Sequence, residues 1–322
     1  MNSPFATHVA FTRLLCAAGQ APSVLNTQPW RIKAVRGEFA ELLADPDRRL
    51  RVGDPRGRSL HVSCGAALFD LRLAVRTAGH RPLVWLLPNG AEEPRLLAAV
   101  RVSASGPASW RTRDLYEAIA LRRTNREPFS EWRIPEHVLT DLRDAAAREG
   151  ARLVVLGRRA SAGLLECVAV ADDELAGDAA YQAELRAWTM GGSRGEGLPT
   201  YVQGPACADD PAPVRDFGTH GGRGPVRFEP RPQLAVLTTA GDGPADWLRA
   251  GQALQRVLLT ATLHGVSASF LNQPLDLRDM RGRRDPHHRD GHLQMIVRLG
   301  YGPVVPRAPR RPPAELQETA PA

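Results

Sequence analysis

Lysine is almost missing from this chain. Lys33 is the only one, so arginine supplies nearly all of the 42 basic residues behind a formal charge of +7. The arginines are scattered rather than gathered into one block, which favours a solvated basic surface over a nucleic-acid face. Cysteine is scarce as well. Cys16, Cys64, Cys167 and Cys207 stand far apart with no CxxC pair, which argues against a zinc site or a disulfide framework and leaves reduced, structural thiols as the expectation. No apolar run approaches the roughly eighteen residues of a membrane span, and the N-terminus has no basic region followed by an apolar core and a cleavage site. The chain therefore reads as cytoplasmic, without a membrane partner. Also absent are a GxSxG elbow, a P-loop and a GxGxxG following a strand, which removes the recognisable serine hydrolases, mononucleotide hydrolases and Rossmann domains. The glycines between Gly218 and Gly224 lack the Lys-Ser or Lys-Thr ending of a phosphate loop.

The 43% of hydrophobic residues in 322 is ample for a core, in two ordinary domains or one larger one. Apolar residues near helical spacing over 8–19 predict a first helix, and Gln28 to Val35 with Ala40 to Ala44 read as a hairpin around Gly37. Leu60, Cys64, Ala67, Leu68, Leu71, Val75 and Ala78 repeat at three and four, so a long buried helix is expected over 59–78, stopped by Gly79. A short buried strand at 83–87 and another at 97–102 follow, and Gly106-Pro107 is read as the join between two halves, 1–108 and 109–322. The second half predicts helices over 112–123, 135–148, 161–175, 181–188 and 246–264, with strands at 152–156, 233–238, 267–271 and 293–299. Glycines break all periodicity over about 191–232, a stretch long enough to be a lid over a site or a disordered loop. The tail from Pro303, rich in proline and arginine, is expected to lie extended over the surface. Strands and helices mixed in this order predict an α+β fold.

Three clusters carry chemistry. Pro22-Ser-Val-Leu-Asn-Thr-Gln-Pro-Trp30 is a stiff polar loop whose Ser23, Asn26, Thr27 and Gln28 both donate and accept; it suits the edge of a heterocycle, and it equally suits a turn feeding a hairpin with Trp30 in the core. Arg122-Arg-Thr-Asn-Arg126 ends a helix with three guanidinium groups beside a threonine hydroxyl, a receptor for phosphate or a solvated helix end. Arg298-Leu-Gly-Tyr-Gly302 with Pro309-Arg-Arg-Pro312 adds glycines that permit close backbone approach and two more arginines, Arg310 and Arg311, able to reach the same phosphate. His287, His288, Asp290 and His292 offer metal-ligand types, but Arg283, Arg284 and Arg289 surround them with repelling charge, so a solvated loop and no metal is expected.

In this order the clusters resemble the nitroreductase superfamily, specifically its Acg-like branch, in which one chain holds two related halves. The resemblance runs from Ala21 to Pro312 and is supported by Trp247-Leu-Arg-Ala-Gly-Gln-Ala-Leu-Gln255 and Leu271-Asn-Gln-Pro274; Leu25 stands where many members carry histidine. It implies a nitroreductase-like fold, an internal pseudo-dimer with a lid insertion, and one FMN per chain. It implies that Arg122, Arg123, Thr124, Asn125 and Arg126 hold the flavin phosphate with Arg310 and Arg311, and that Ser23, Asn26 and Gln28 face the flavin from the other half. Ser269, Asn272 and Gln273 would lie against its redox-active edge. The implied activity is an NAD(P)H oxidoreductase acting on a nitroaromatic or quinone-like acceptor, as a monomer or weak homodimer; flavin does the chemistry, and no side chain is needed as a catalytic acid or base. The alternative is a flavin-binding or flavin-sequestering protein with little turnover, because a lid covers the FMN.

Overall fold

The computed structural model describes residues 3–189, 195–209, 211–218, 223–283 and 291–318. Its first half runs α1 (His8–Ala18), β1 (Trp30–Val35), β2 (Phe39–Ala44), α2 (Arg58–Thr77), β3 (His80–Leu86) and β4 (Leu96–Ser105), followed by α3 (Trp110–Leu121). The second runs α4 (Glu136–Ala147), β5 (Arg152–Val155), α5 (Arg158–Ala176), α6 (Ala179–Thr189), β6 (Gln233–Thr239), α7 (Pro244–Leu263), β7 (Ser267–Phe270), α8 (Gln273–Met280), β8 (His292–Gly300) and α9 (Pro313–Leu316). The fold is α+β. Among the described residues no helix is long and apolar enough to cross a membrane.

The duplication is explicit in the sheets. One has the order β1-β2-β4-β3 and the other β5-β6-β8-β7, both antiparallel throughout, so each half lays down its strands in the same sequence. In each, a long helix, α2 or α7, sits between the second and third strands. These helices pack on each other as well as on their own sheets. Gly65 is the eighth residue of α2 and Gly251 the eighth of α7, and they meet at the crossing: a Cβ on Gly65 would fall on the Leu248 carbonyl, and one on Gly251 on the Val62 carbonyl. Only hydrogen lets the two backbones come this close.

The start of α2 is built by a distant side chain. Gly57 precedes the helix in the left-handed region, and Asp54 accepts from the Ser59 and Leu60 amides at 3.0 and 2.8 Å, satisfying donors that the first turn leaves open. Ser109 caps α3 by accepting from the Thr112 amide. The apolar face of α3 buries Leu115, Ala118 and Ile119 in the core of the first sheet, which places the arginines at its end beside the loop after α1.

Three expectations change. The strand expected at 83–87 is not buried: β3 is an edge strand with Leu83 and Trp85 turned to solvent. A helix, α8, follows Leu271-Asn-Gln-Pro, where Pro274 occupies its first turn. The tail lies on the surface only at its start, where Pro303, Val304, Pro306 and Arg307 are exposed; beyond it Arg311 and Leu316 are buried in the first half, and Gln317 bridges to Ile32. Residues 190–194, 210, 219–222 and 284–290 lie outside the described residues, and with them part of the glycine-rich stretch and His287, His288 and Asp290 of the histidine cluster.

Candidate functional site

Two contiguous cavities lie where the halves meet, both open to solvent. Pro22, Ser23, Arg126 and Leu198 line both. The larger is chiefly apolar. Val24 and Leu25 from the loop after α1, Val62 of α2, Leu254 of α7, Phe270 of β7 and Met295 of β8 form its walls, Ser23, Ser59, Ser63 and Asn272 are neutral polar points, and Arg126, Arg215 and Asp276 bring charge to it. The smaller is cationic: Arg122, Arg123, Arg126, Arg307 and Arg310 line it, with Thr124, Asn26 and Gln20.

The loop Ala21 to Pro29 is held in a conformation side chains seldom adopt. Leu25, Asn26 and Gln28 all have positive φ, at 45, 55 and 49°. Such strain persists only where surroundings over-determine it. The Val24 amide donates to Ser63 Oγ at 3.1 Å and the Gln28 amide to Ser23 Oγ at 2.9 Å. Asn26 Nδ2 donates to the Gly197 and Pro309 carbonyls at 2.9 and 3.0 Å. Gln28 donates to the Gly195 carbonyl at 2.8 Å and accepts from the Arg311 amide at 2.9 Å.

The arginines of the cationic chamber, of which Arg122 is buried and Arg126 and Arg310 are partly so, differ from the paired arginines of the interior. Arg58 pairs with Asp279 at 2.6 Å, Arg298 with Glu229 at 2.6 Å and Arg311 with Asp45 at 3.5 Å. Among the described residues, none of the five chamber arginines has a carboxylate within ion-pair distance. The Nε atoms of Arg122 and Arg310 are buried without a hydrogen-bond partner. Burial, and then mutual repulsion, pushes Arg310 down to about 9; burial pushes Arg122 and Arg126 down to about 10. Asp70 on α2 partly offsets the charge of Arg122 and Arg310, though neither reaches it as an ion pair. Buried charges are paired in native proteins, and a site that supplies several guanidinium forks and no acid is completed by an anion.

Of the residues expected at the site, Ser23, Asn26, Arg122, Arg123, Thr124, Arg126, Asn272 and Arg310 line the cavities. Gln28, Asn125, Ser269, Gln273 and Arg311 do not. Asn125 is spent on the Pro303 carbonyl and Ser267 Oγ, at 2.8 and 3.1 Å. Gln273 donates to Asp172 at 2.9 Å, and Arg311 to the carbonyls of Gln28 and Trp30 at 3.0 and 3.3 Å. Ser269 is buried within β7, its hydroxyl without a partner. The glycines Gly300 and Gly302 admit Phe129 and Asn125, since a Cβ at either would strike the Phe129 ring.

Sequence reasoning missed Arg307, Leu198, Arg215, Phe217 and Asp276, all of which line the cavities. Leu198, Arg215 and Phe217 belong to the glycine-rich stretch, where one aromatic beside basic residues was the available signal. Arg215 donates to Asp276 Oδ2 at 3.2 Å and to the Tyr181 hydroxyl, and it lies over the Tyr181 ring. Burial opposes its charge, but Tyr181, Asp276 and Asp172 outweigh it and hold Arg215 above the usual arginine value.

The fold and site together define a duplicated α+β protein with a composite pocket, apolar at one end and a receptor for an anion at the other. No family model matches the chain. It is 32% identical over 327 residues to the Mycobacterium tuberculosis protein named "Putative NAD(P)H nitroreductase Rv3131", covering 99% of this chain and 94% of the relative. It is 31% identical over 310 residues to "Putative NAD(P)H nitroreductase acg" of the same organism, covering 93% and 92%. The chain belongs to the nitroreductase family, in the group that includes Acg. Among solved structures, a nitroreductase with bound FMN from Desulfitobacterium hafniense is 16% identical, covering 61% of this chain and 94% of that one with a TM-score of 0.38. The FMN-dependent nitroreductase NfnB from Mycobacterium smegmatis in complex with NADPH is 17% identical, covering 62% and 95% with a TM-score of 0.36. Overlaps this partial bear on neither the fold nor the site of this chain.

Proposed function

We propose that the chain is an FMN-dependent oxidoreductase of nitroreductase type that passes electrons from NAD(P)H to a nitroaromatic or quinone-like acceptor. The observation that carries this reading is the cationic chamber, in which no arginine is ion-paired with a carboxylate among the described residues, opening into a chiefly apolar chamber. The residues fit the group. Arg122 and Arg310, with their unpartnered Nε atoms, Thr124 and Arg126 would hold the phosphate, and Arg126, which lines both chambers, also stands at the junction toward the ring. Ser23 and Asn272 offer polar contacts to the ring edge, and Leu25, Leu254 and Phe270 exclude water from its faces. Bound there, the flavin would supply the hydride chemistry. The names of the mycobacterial relatives support NAD(P)H as the donor.

A second reading, a flavin-sequestering protein with little turnover, is favoured by one observation: Leu198, Arg215 and Phe217 of the glycine-rich stretch line the apolar chamber as a lid would. Stopped-flow reduction of the purified yellow protein separates the two. The enzyme reading expects flavin bleaching within seconds on mixing with NADH or NADPH, and reoxidation by a quinone. Flavin that stays oxidised for minutes with both nucleotides leaves the sequestering reading; a colourless protein that takes up no FMN sinks both.

A further inference from the structure

Arg126 belongs to both chambers, and it is also where the glycine-rich stretch is seated. Its guanidinium donates to the Val202 carbonyl at 2.8 Å and lies 5.2 Å from the centre of the Phe217 ring. Gly204, at φ 82°, rests on the Arg126 backbone so closely that a Cβ would fall on the Arg126 carbonyl. On the same Phe217 ring lies a second guanidinium, that of Arg215, at 5.5 Å. Arg215 is tied to Asp276 and Tyr181, whereas Arg126 has no carboxylate partner among the described residues. Two half-buried cations thus share one aromatic ring, and only one of them has a carboxylate partner among the described residues.

This arrangement sets the sign of a coupling. With Arg215 and Phe217 seated at the apolar chamber, the charge of Arg215 opposes that of Arg126, at a cost in repulsion. A phosphoryl dianion received by Arg126 cancels that cost and adds an attraction to both guanidinium groups. We infer that the two chambers form one switch, in which a phosphoryl group held at Arg126 closes the segment carrying Arg215 and Phe217 over the apolar chamber. This rests on the anion reading of the cationic chamber. By linkage, the closed segment in turn raises the affinity for the phosphoryl group by the same factor.

The test uses the full chain freed of flavin, with inorganic phosphate as the probe. Calorimetry first establishes that phosphate and FMN bind; absence of both removes the anion reading, and the switch with it, before any exchange is measured. Backbone hydrogen exchange over 211–218 is then compared with and without saturating phosphate. Phosphate and FMN should each slow exchange there about five-fold or more, the lower end of common couplings, and riboflavin, which lacks the phosphate, should not. Arg126→Gln should lose the response to phosphate. Arg215→Ala should still bind phosphate yet exchange fast under all conditions. Bound phosphate with unchanged exchange over 211–218 overturns the inference, as does equal protection by riboflavin and FMN, a comparison that needs no variant.

Discussion

Arg310 and Arg311 are neighbours in sequence with identical side chains and opposite duties. Arg310 reaches the cationic chamber, where its Nη1 meets Asn26 Oδ1 at 2.8 Å and its Nε has no partner. Arg311 turns the other way, into the first half, onto Gln28, Trp30 and Asp45. Alternation along an extended chain is the reason, and it makes the pair a test. Arg310→Ala, like Arg122→Ala, should weaken FMN binding about 10- to 100-fold, the equivalent of about 1.5–3 kcal/mol for a charge-assisted hydrogen bond, read by quenching of flavin fluorescence. Arg311→Ala should chiefly lower the unfolding midpoint. Asp70 gives a second test. It is fully buried on α2, accepts twice from Gln255 Nε2 at 2.9 Å, and burial raises it from 3.8 to about 8. Between those values the folded chain keeps a proton that the unfolded chain has lost, so this group's contribution to stability falls as pH rises through that window and is level above it. Asp70→Asn should therefore raise the melting temperature more at pH 8.5 than at pH 5. An equal shift at both would mean that Asp70 is ionised in the folded chain throughout.

At the scale of elements, periodicity carried most of the reading. The two core helices were legible because apolar residues recur at three and four over twenty residues, in α2 and again in α7. What it did not show is that the eighth residue of each is the contact point. Gly65→Ala and Gly251→Ala each insert a methyl group against a backbone carbonyl of the facing helix, and overpacking of this kind costs about 1–3 kcal/mol. Chemical denaturation should show that loss in either variant. A change below a few tenths of a kcal/mol would show that the helices separate without cost. The strand at the edge and the helix α8 were misread or missed for local reasons. Burial of an apolar run depends on whether another strand flanks it, and a helix of eight residues starting at Gln273-Pro274 gives too few turns for a period to register.

At the scale of the molecule, the repeated sheet order makes the chain its own pseudo-dimer, yet the arginines that line the site come only from the end of α3 and the tail, apart from Arg215. One flavin per chain is therefore expected, and native mass spectrometry of the protein loaded with excess FMN should show one FMN per 35.0 kDa chain. Two would require a second anion site in the other half.

The sequence by itself determined the mixed class of elements, most of their order, the family likeness and the motif that carries the chamber arginines, because these depend on residues close together in the chain. Only the tertiary structure decided which polar groups face the cavity. Gln28, Asn125 and Arg311 belong to the same motifs as Asn26, Arg122 and Arg310 but point away from the cavities, their donors turned to Gly195, Pro303, Gln28 and Trp30. Arg307, Arg215 and Phe217 come from stretches with no period at all, and they reach the site because the tail and the glycine-rich stretch fold back over it. The loop from Ala21 to Pro29 shows both sides: its composition marks it, but the positive φ values of Leu25, Asn26 and Gln28 are held by Ser63, Gly195, Gly197 and Pro309, residues far along the chain. Local propensity disfavours that conformation, and long-range hydrogen bonds impose it.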